Sequence, residues 1–250
     1  MRPLLLLIAM LCLGAATASA QAYITWDDAP GHGGSANRAF GCDTDAGSNT
    51  FVITISPAYD LIGIKEIDAT VLVHGFWSFH GPYAGPIDPV TPWWDFRSSG
   101  CRAHALTASA DFTSEPWASS PVETPGGVPM FGMSPYVVEA FVDGYKTGTW
   151  GRFVLGVLWS EPVDLLAGHT YYIARGRISN AGTLSGACDG CCRTMELSCR
   201  FEVTTADDPT PNPYLIAQSG PNAGWNLDSA GCSAVGSRAT TWGTLKSRYR

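Results

Sequence analysis

Twenty-eight glycines and seventeen prolines punctuate this 250-residue chain, and few stretches between them are long enough to carry the 3.6-residue periodicity of an amphipathic helix. What lies between is a series of short apolar runs rich in β-branched and aromatic residues, bounded by Gly, Pro, Asp and Ser. That is the pattern of strands joined by turns. Strands are expected at Thr50 to Ser56, Ile67 to Val73, Tyr136 to Val142, Phe153 to Trp159, Thr170 to Ile178 and Thr194 to Thr204. The last alternates: Met195, Leu197, Cys199, Phe201 and Val203 fall on one face, and Glu196, Ser198, Arg200 and Glu202 on the other. Ala167-Gly168 reads as a turn feeding a central strand, because glycine takes positive φ without a Cβ penalty.

These strands predict an all-β fold, an antiparallel β-sandwich with jelly-roll or Greek-key connections, in which alternate faces are buried without helical crossovers. Residues 75–130 carry less strand signal and more Pro, Gly and aromatic residues, so long loops with a few short strands are expected there. No repeat and no clean linker divides the chain, which predicts a single β-rich domain over residues 21–250.

Residues 1–20 have the organisation of an export signal: Arg2, an apolar run from Leu4 to Leu13, and the small-residue triplet Ala18-Ser19-Ala20. The run is too short to cross a bilayer, which takes about 20 residues. The expected product is a secreted or periplasmic protein without a transmembrane anchor. Cleavage before Gln21 removes Arg2 and Cys12 and leaves a formal charge of −8 and seven cysteines. With 15 basic against 22 acidic side chains, the chain has no electrostatic footprint for nucleic acid.

An oxidising compartment makes disulfides the first reading of Cys42, Cys101, Cys188, Cys191, Cys192, Cys199 and Cys232, with three bridges and one thiol as the simplest sum. The dense run Cys188, Cys191, Cys192, Cys199 could in principle hold zinc through four thiolates. Export exposes thiols to oxidation before such a site need form, so no metal and no cofactor is expected. Asp27, Asp28, Asp43 and Asp45 lie in a Gly-rich stretch of the kind calcium uses, without EF-hand spacing.

Catalytic signals are poor. The five histidines show no HExxH arrangement, and His74-Gly75-Phe76 lacks the GxSxG elbow a serine hydrolase would need. His74, His80, Asp88, Asp95, Asp111 and Glu115 are the provisional acids and bases of a hydrolase reading. The aromatic density is more distinctive. Trp77, Trp93, Trp94 and Trp117, with Phe79, Tyr83 and Phe96 between them, are candidate ligand-binding rings that could stack on a sugar or anchor a protein, with core packing as the competing use. An extended Trp93-Trp94 would send its two rings to opposite sides. The final ten residues, Thr241 to Arg250, are locally basic, fitting either a docking tail or a short element packed through Trp242, Leu245 and Tyr249.

Taken together, Ile24-Thr25-Trp26-Asp27, Asn37-Arg38-Ala39-Phe40-Gly41-Cys42, Pro92-Trp93-Trp94-Asp95-Phe96, Cys101-Arg102, Ala167-Gly168-His169-Thr170-Tyr171-Tyr172, Ala187-Cys188-Asp189-Gly190-Cys191 with Cys199, and Thr241-Trp242-Gly243 with Lys246-Ser247 and Tyr249-Arg250 form a pattern. It resembles a family of exported bacterial proteins marked by a CxGC…C motif and a C-terminal TWGxxKSxYR-like motif, to which no activity is attached. The resemblance spans nearly the whole chain after residue 20 and implies export and disulfides without supplying a catalytic residue. Cys192 stands where that pattern has an ordinary residue, which makes it the expected unpaired cysteine. Cys42 with Cys101, and Cys188 or Cys191 with Cys199, are candidate bridges, with the connectivity left open. The function expected is noncatalytic, binding or structural, directed at a cell-surface protein or a glycan. Carbohydrate binding through the aromatic loops is the alternative, followed by a secreted hydrolase.

Overall fold

The computed structural model describes residues 21–75, 91–133, 140–141, 146–147, 151–184, 188, 190–208, 212–215 and 223–225. The strands are β1 (Gln21–Trp26), β2 (Asn37–Arg38), β3 (Ser48–Ser56), β4 (Leu61–Gly75), β5 (Leu106–Ser109), β6 (Val128–Met133), β7 (Ala140–Phe141), β8 (Lys146–Thr147), β9 (Gly151–Leu165), β10 (Tyr171–Ser179), β11 (Met195–Thr205), β12 (Asn212–Leu215) and β13 (Ala223–Trp225). Sheet A has the order β1-β3-β10-β5. Sheet B runs β2-β13-β11-β4-β9-β6, with β12 added along β11, and β7 pairs β8 separately. Every pairing is antiparallel except the short β13-β2 contact.

The expected strands at Thr50 to Ser56, Ile67 to Val73, Phe153 to Trp159, Thr170 to Ile178 and Thr194 to Thr204 are all present, most of them longer than the sequence suggests. Of Tyr136 to Val142, only Ala140 and Phe141 lie within the described residues. Strand β1 adds to the expected set. It pairs along its full length with β3, Gln21 opposite Ser56 and Trp26 opposite Phe51.

Period-two alternation decides which face of each strand is inside. Sheet A sends in Ile24, Trp26, Phe51, Ile53, Ile55 and Ile178, and sheet B sends in Ile67, Ala69, Val71, Phe153, Leu155, Val157, Met195, Leu197, Phe201 and Val203, all buried in one core. The rings of Phe51 and Phe153 meet across the sheets at 5.8 Å, and Trp26 meets Phe51 edge-on at 5.9 Å. Gly176 faces Phe51 from β10. A Cβ there would fall 2.1 Å from the ring, so only glycine leaves room for the phenylalanine. Trp26 also donates its indole N–H to the Gly224 carbonyl of sheet B at 2.7 Å, closing one side of the sandwich.

Among the connections that cross between sheets are the turn after β3 and the turn before β10. In the latter, Gly168 has φ of +80°, as the Ala-Gly signal predicts, and its N–H reaches the Pro57 carbonyl of the other turn. Residues 110–123 wrap over the outside of sheet A. Phe112, Trp117 and Val122 there bury Val52, Tyr172 and Ala29 in a second, smaller apolar cluster.

Candidate functional site

Thr91 and Pro92 start a single 3-10 turn, Pro92–Trp94, with the proline at the helix start where its missing N–H costs nothing. The turn replaces the extended geometry expected for Trp93-Trp94. Instead of pointing opposite ways, both rings go inward, 0% and 3% exposed, with centroids 5.1 Å apart. Phe40 packs edge-on against Trp93 at 5.0 Å and Phe96 against Trp94 at 5.9 Å.

Into this cluster comes Arg102, itself buried, with its guanidinium 3.7 Å above the Trp93 ring. It donates to the carbonyls of Ser179 and Trp93. Burial depresses its pKa to about 10, with the nearby charge of Asp45 acting the other way. A charge held on an aromatic face and two carbonyls is a structural use of arginine, since little of it is left in contact with water.

Two disulfides clamp the same corner. Cys42 joins Cys191, with Cα atoms 5.7 Å apart, and Cys101 joins Cys188, with Cα atoms 5.4 Å apart. These replace the candidate bridge Cys42 to Cys101. Two loops distant in sequence are each tied to a short hook before β11. Cys199 corrects a second expectation, because it is free. It lies on the inward face of β11 opposite Val71, roughly 13 Å along the strand from Met195, and cannot turn back to the hook. Burial pushes its thiol well above the ordinary range. Cys192, the cysteine expected to be unpaired, is disulfide-bonded. Cys232 and Trp77 lie outside the described residues, as do His80, Asp88 and the C-terminal segment. With Cys188 and Cys191 in S–S bonds, their sulfurs are not thiolate ligands, and no metal-binding group of His, Cys, Asp or Glu occurs among the described residues.

Trp117, 8% exposed, belongs to the apolar cluster outside sheet A, where its indole N–H donates to the Asp27 carbonyl at 3.1 Å. Beside it, the Tyr172 hydroxyl donates to the Asp28 carboxylate and lies 2.9 Å from the Ser120 hydroxyl. Burial, reinforced by Asp28, pushes the Tyr172 phenol up to about 12. Phe112 stacks on the same tyrosine at 4.6 Å. The result is a polar latch that fastens residues 110–123 to the sheet.

The proposed acids are occupied locally. Asp95 makes a two-pronged contact with Arg97 at 2.7 and 2.6 Å, which holds its carboxyl below the usual range. Asp111 caps Thr113, and Glu115 accepts from Ser119 at 2.7 Å. His74 is on β4 opposite Glu196. The calcium candidates are likewise dispersed: Asp27 pairs Arg38, Asp28 accepts from Ala29 N–H and Tyr172, and Asp45 accepts from Leu184 N–H.

Among the described residues, the outside of sheet B presents an open surface, one that carries no chemical motif of the sequence. Reading across the strands, Thr204, Glu66, Leu158 and Val128 form one row, and Glu202, Asp68 and Gly156 the next. Leu158 and Val128 are 42% and 63% exposed. Asp68 is held above its usual pKa by partial burial and then by the charges of Glu66 and Glu202. The alternation of β11 was the available signal, since it had already put Glu202 on the wet side. No aromatic ring stands in these rows.

The molecule is therefore a disulfide-linked, all-β, two-sheet protein whose described aromatic candidates are internal. No family model, curated protein or solved structure matches the chain. No helix among the described residues is long and apolar enough to cross a membrane.

Proposed function

We propose that this is an exported, noncatalytic β-sandwich that binds a protein component of the cell surface or of an extracellular assembly, with the outer face of sheet B as its contact surface. The observation that carries this reading is the division of labour among side chains. Trp93, Trp94, Trp117, Arg102 and the described acids of the hydrolase reading are engaged in packing, latches and turns, while β4, β9, β11 and β6 present a broad face mixing Glu66, Asp68 and Glu202 with Leu158 and Val128. Charged groups beside exposed aliphatics suit a protein partner. Sugar recognition draws on exposed rings, and the burial of three of the four candidate tryptophans gives that reading no support. The leader at residues 1–20, the disulfides and the resemblance to exported bacterial proteins support an address outside the cytoplasm.

The test is site-specific photo-crosslinking in the native host, with the photoreactive residue at Leu158 and, as control, at Tyr59 on the far turn between β3 and β4. Partner bands from the Leu158 position and none from Tyr59 are expected. With expression confirmed, absence of any band that depends on the Leu158 position overturns the assignment of this face.

A further inference from the structure

We propose that the outer face of sheet A carries an anion site, in which Arg175 and Arg177 hold the phosphoryl group of a phosphate ion or phosphate monoester. The site lies on the opposite sheet from the proposed partner surface and does not depend on it.

Strand β10 is flanked by β3 and β5. Gly176 and Ile178 turn into the core, so Arg175 and Arg177 project outward on the same face, about 7 Å apart along the strand. Opposite Arg177 stand Thr50 of β3 and Thr107 of β5, and opposite Arg175 stand Val52 and Ser109. The guanidinium of Arg175 lies 4.4 Å over the ring of Trp117, which belongs to the segment covering part of this face. Burial lowers its pKa, Asp111 acts the other way, and the like charge of Arg177 lowers it further, so each cation feels the other.

What separates this pair from Arg102 is the donor capacity left over. Arg102 is spent on the carbonyls of Ser179 and Trp93. Among the described residues, Arg175 donates to no protein acceptor, and its Nε is buried without one. Arg177 is exposed and engaged only through its Nε, to Ser48 at 2.8 Å, which leaves its terminal nitrogens open. Neither arginine forms a salt bridge among the described residues. The facing strands supply no carboxylate, only the hydroxyls of Thr50, Thr107 and Ser109. The acid near the pair is Asp111, whose Oδ1 accepts from the N–H and hydroxyl of Thr113.

Neighbouring guanidiniums repel, and an oxyanion between them replaces that repulsion with charge-assisted hydrogen bonds. The donor set selects the anion. Two forked cations rimmed by hydroxyls offer more donors than the roughly four acceptor positions of a carboxylate can take. A phosphoryl group fits better, with about three free oxygens and close to two negative charges.

The test is an NMR titration of the protein with inorganic phosphate, methyl phosphate or acetate, at constant ionic strength and a pH of about 8, where phosphate is a dianion. The reporter is the indole N–H of Trp117, beneath Arg175. Saturable shifts with a Kd on the order of 1 mM are expected for phosphate, and acetate should bind about tenfold more weakly. Arg177→Ala should weaken phosphate binding about tenfold, and Arg177→Lys, which keeps the charge and loses the fork, by less. Asp111→Asn keeps the acceptor for Thr113 and removes the competing charge, so it should tighten binding about twofold. Arg152→Ala, exposed on β9 in the other sheet, should leave binding unchanged. Thermal midpoints close to wild type establish that each variant is folded. Saturation by both phosphates assigns the site to the phosphoryl group free or esterified, and saturation by inorganic phosphate alone assigns it to the free ion; both uphold the site. A response that never saturates, acetate bound as tightly as phosphate, or equal losses in Arg177→Ala and Arg152→Ala overturns it.

Discussion

Arg102 lies with its guanidinium 3.7 Å over Trp93 while donating to the carbonyl of Ser179, at the end of β10. One side chain thus joins the aromatic turn to sheet A. Arg102→Ala removes the ring contact and both carbonyl interactions, and is expected to cost about 2–4 kcal/mol. Arg102→Met keeps the stem and removes the buried charge, so it should cost less. Urea denaturation of the two variants provides the comparison.

The tryptophans separate a structural from a ligand-binding role. Trp93→Ala should destabilise the fold by about 3–5 kcal/mol, as for other buried large aromatics. A Trp93→Ala protein of wild-type stability that loses binding to a glycan would contradict the burial of this ring.

The latch beneath residues 110–123 makes a separate claim. Tyr172→Phe leaves Asp28 buried with one donor fewer and should cost about 1–3 kcal/mol. Its local signature is faster hydrogen exchange in residues 110–123 with little change in β4, β9 and β11. Uniform exchange across both sheets would place the latch elsewhere.

Asp68 gives a pH dependence with a definite sign. Its folded pKa is raised above 3.8, first by burial and then by Glu66 and Glu202, so the folded state holds more protons than the unfolded state in the window above that value. Its contribution to stability therefore increases as pH falls through the raised pKa and levels off below 3.8. Asp68→Asn should raise the denaturation midpoint at pH 7 and flatten this part of the profile. A lower midpoint at pH 7 would show that the carboxylate is attractive where the structure makes it repulsive.

Much of the fold was legible in the sequence because a half-buried strand writes its two faces in alternation. Met195 to Val203 is the clearest case, and Gly168 marked its turn through the positive φ that glycine tolerates. Strand β1 is hidden in the sequence because its six residues carry too little pattern; its pairing with β3 is what makes it a strand. An extended reading of Trp93 and Trp94 overlooks Pro92 as a helix-start signal. The cystine pairing was beyond local reading. The bridges span 149 and 87 residues, and which cysteines meet is settled only when the two sheets bring their loops together. The outer face of sheet B was half visible, with Glu202 on the wet side of β11, but its neighbours Asp68 and Glu66 depend on the β4 register.

The central claim is that two cystines draw separate loops onto the hook before β11 and seal the aromatic cluster inside. Peptide mapping of the purified protein without reduction, after alkylation in the native and in the denatured state, tests it most directly. The account predicts linked peptides Cys42–Cys191 and Cys101–Cys188, with Cys199 alkylated only after denaturation. A Cys42–Cys101 linkage, rapid native alkylation of Cys199, or zinc retained on free Cys188 and Cys191 would contradict it.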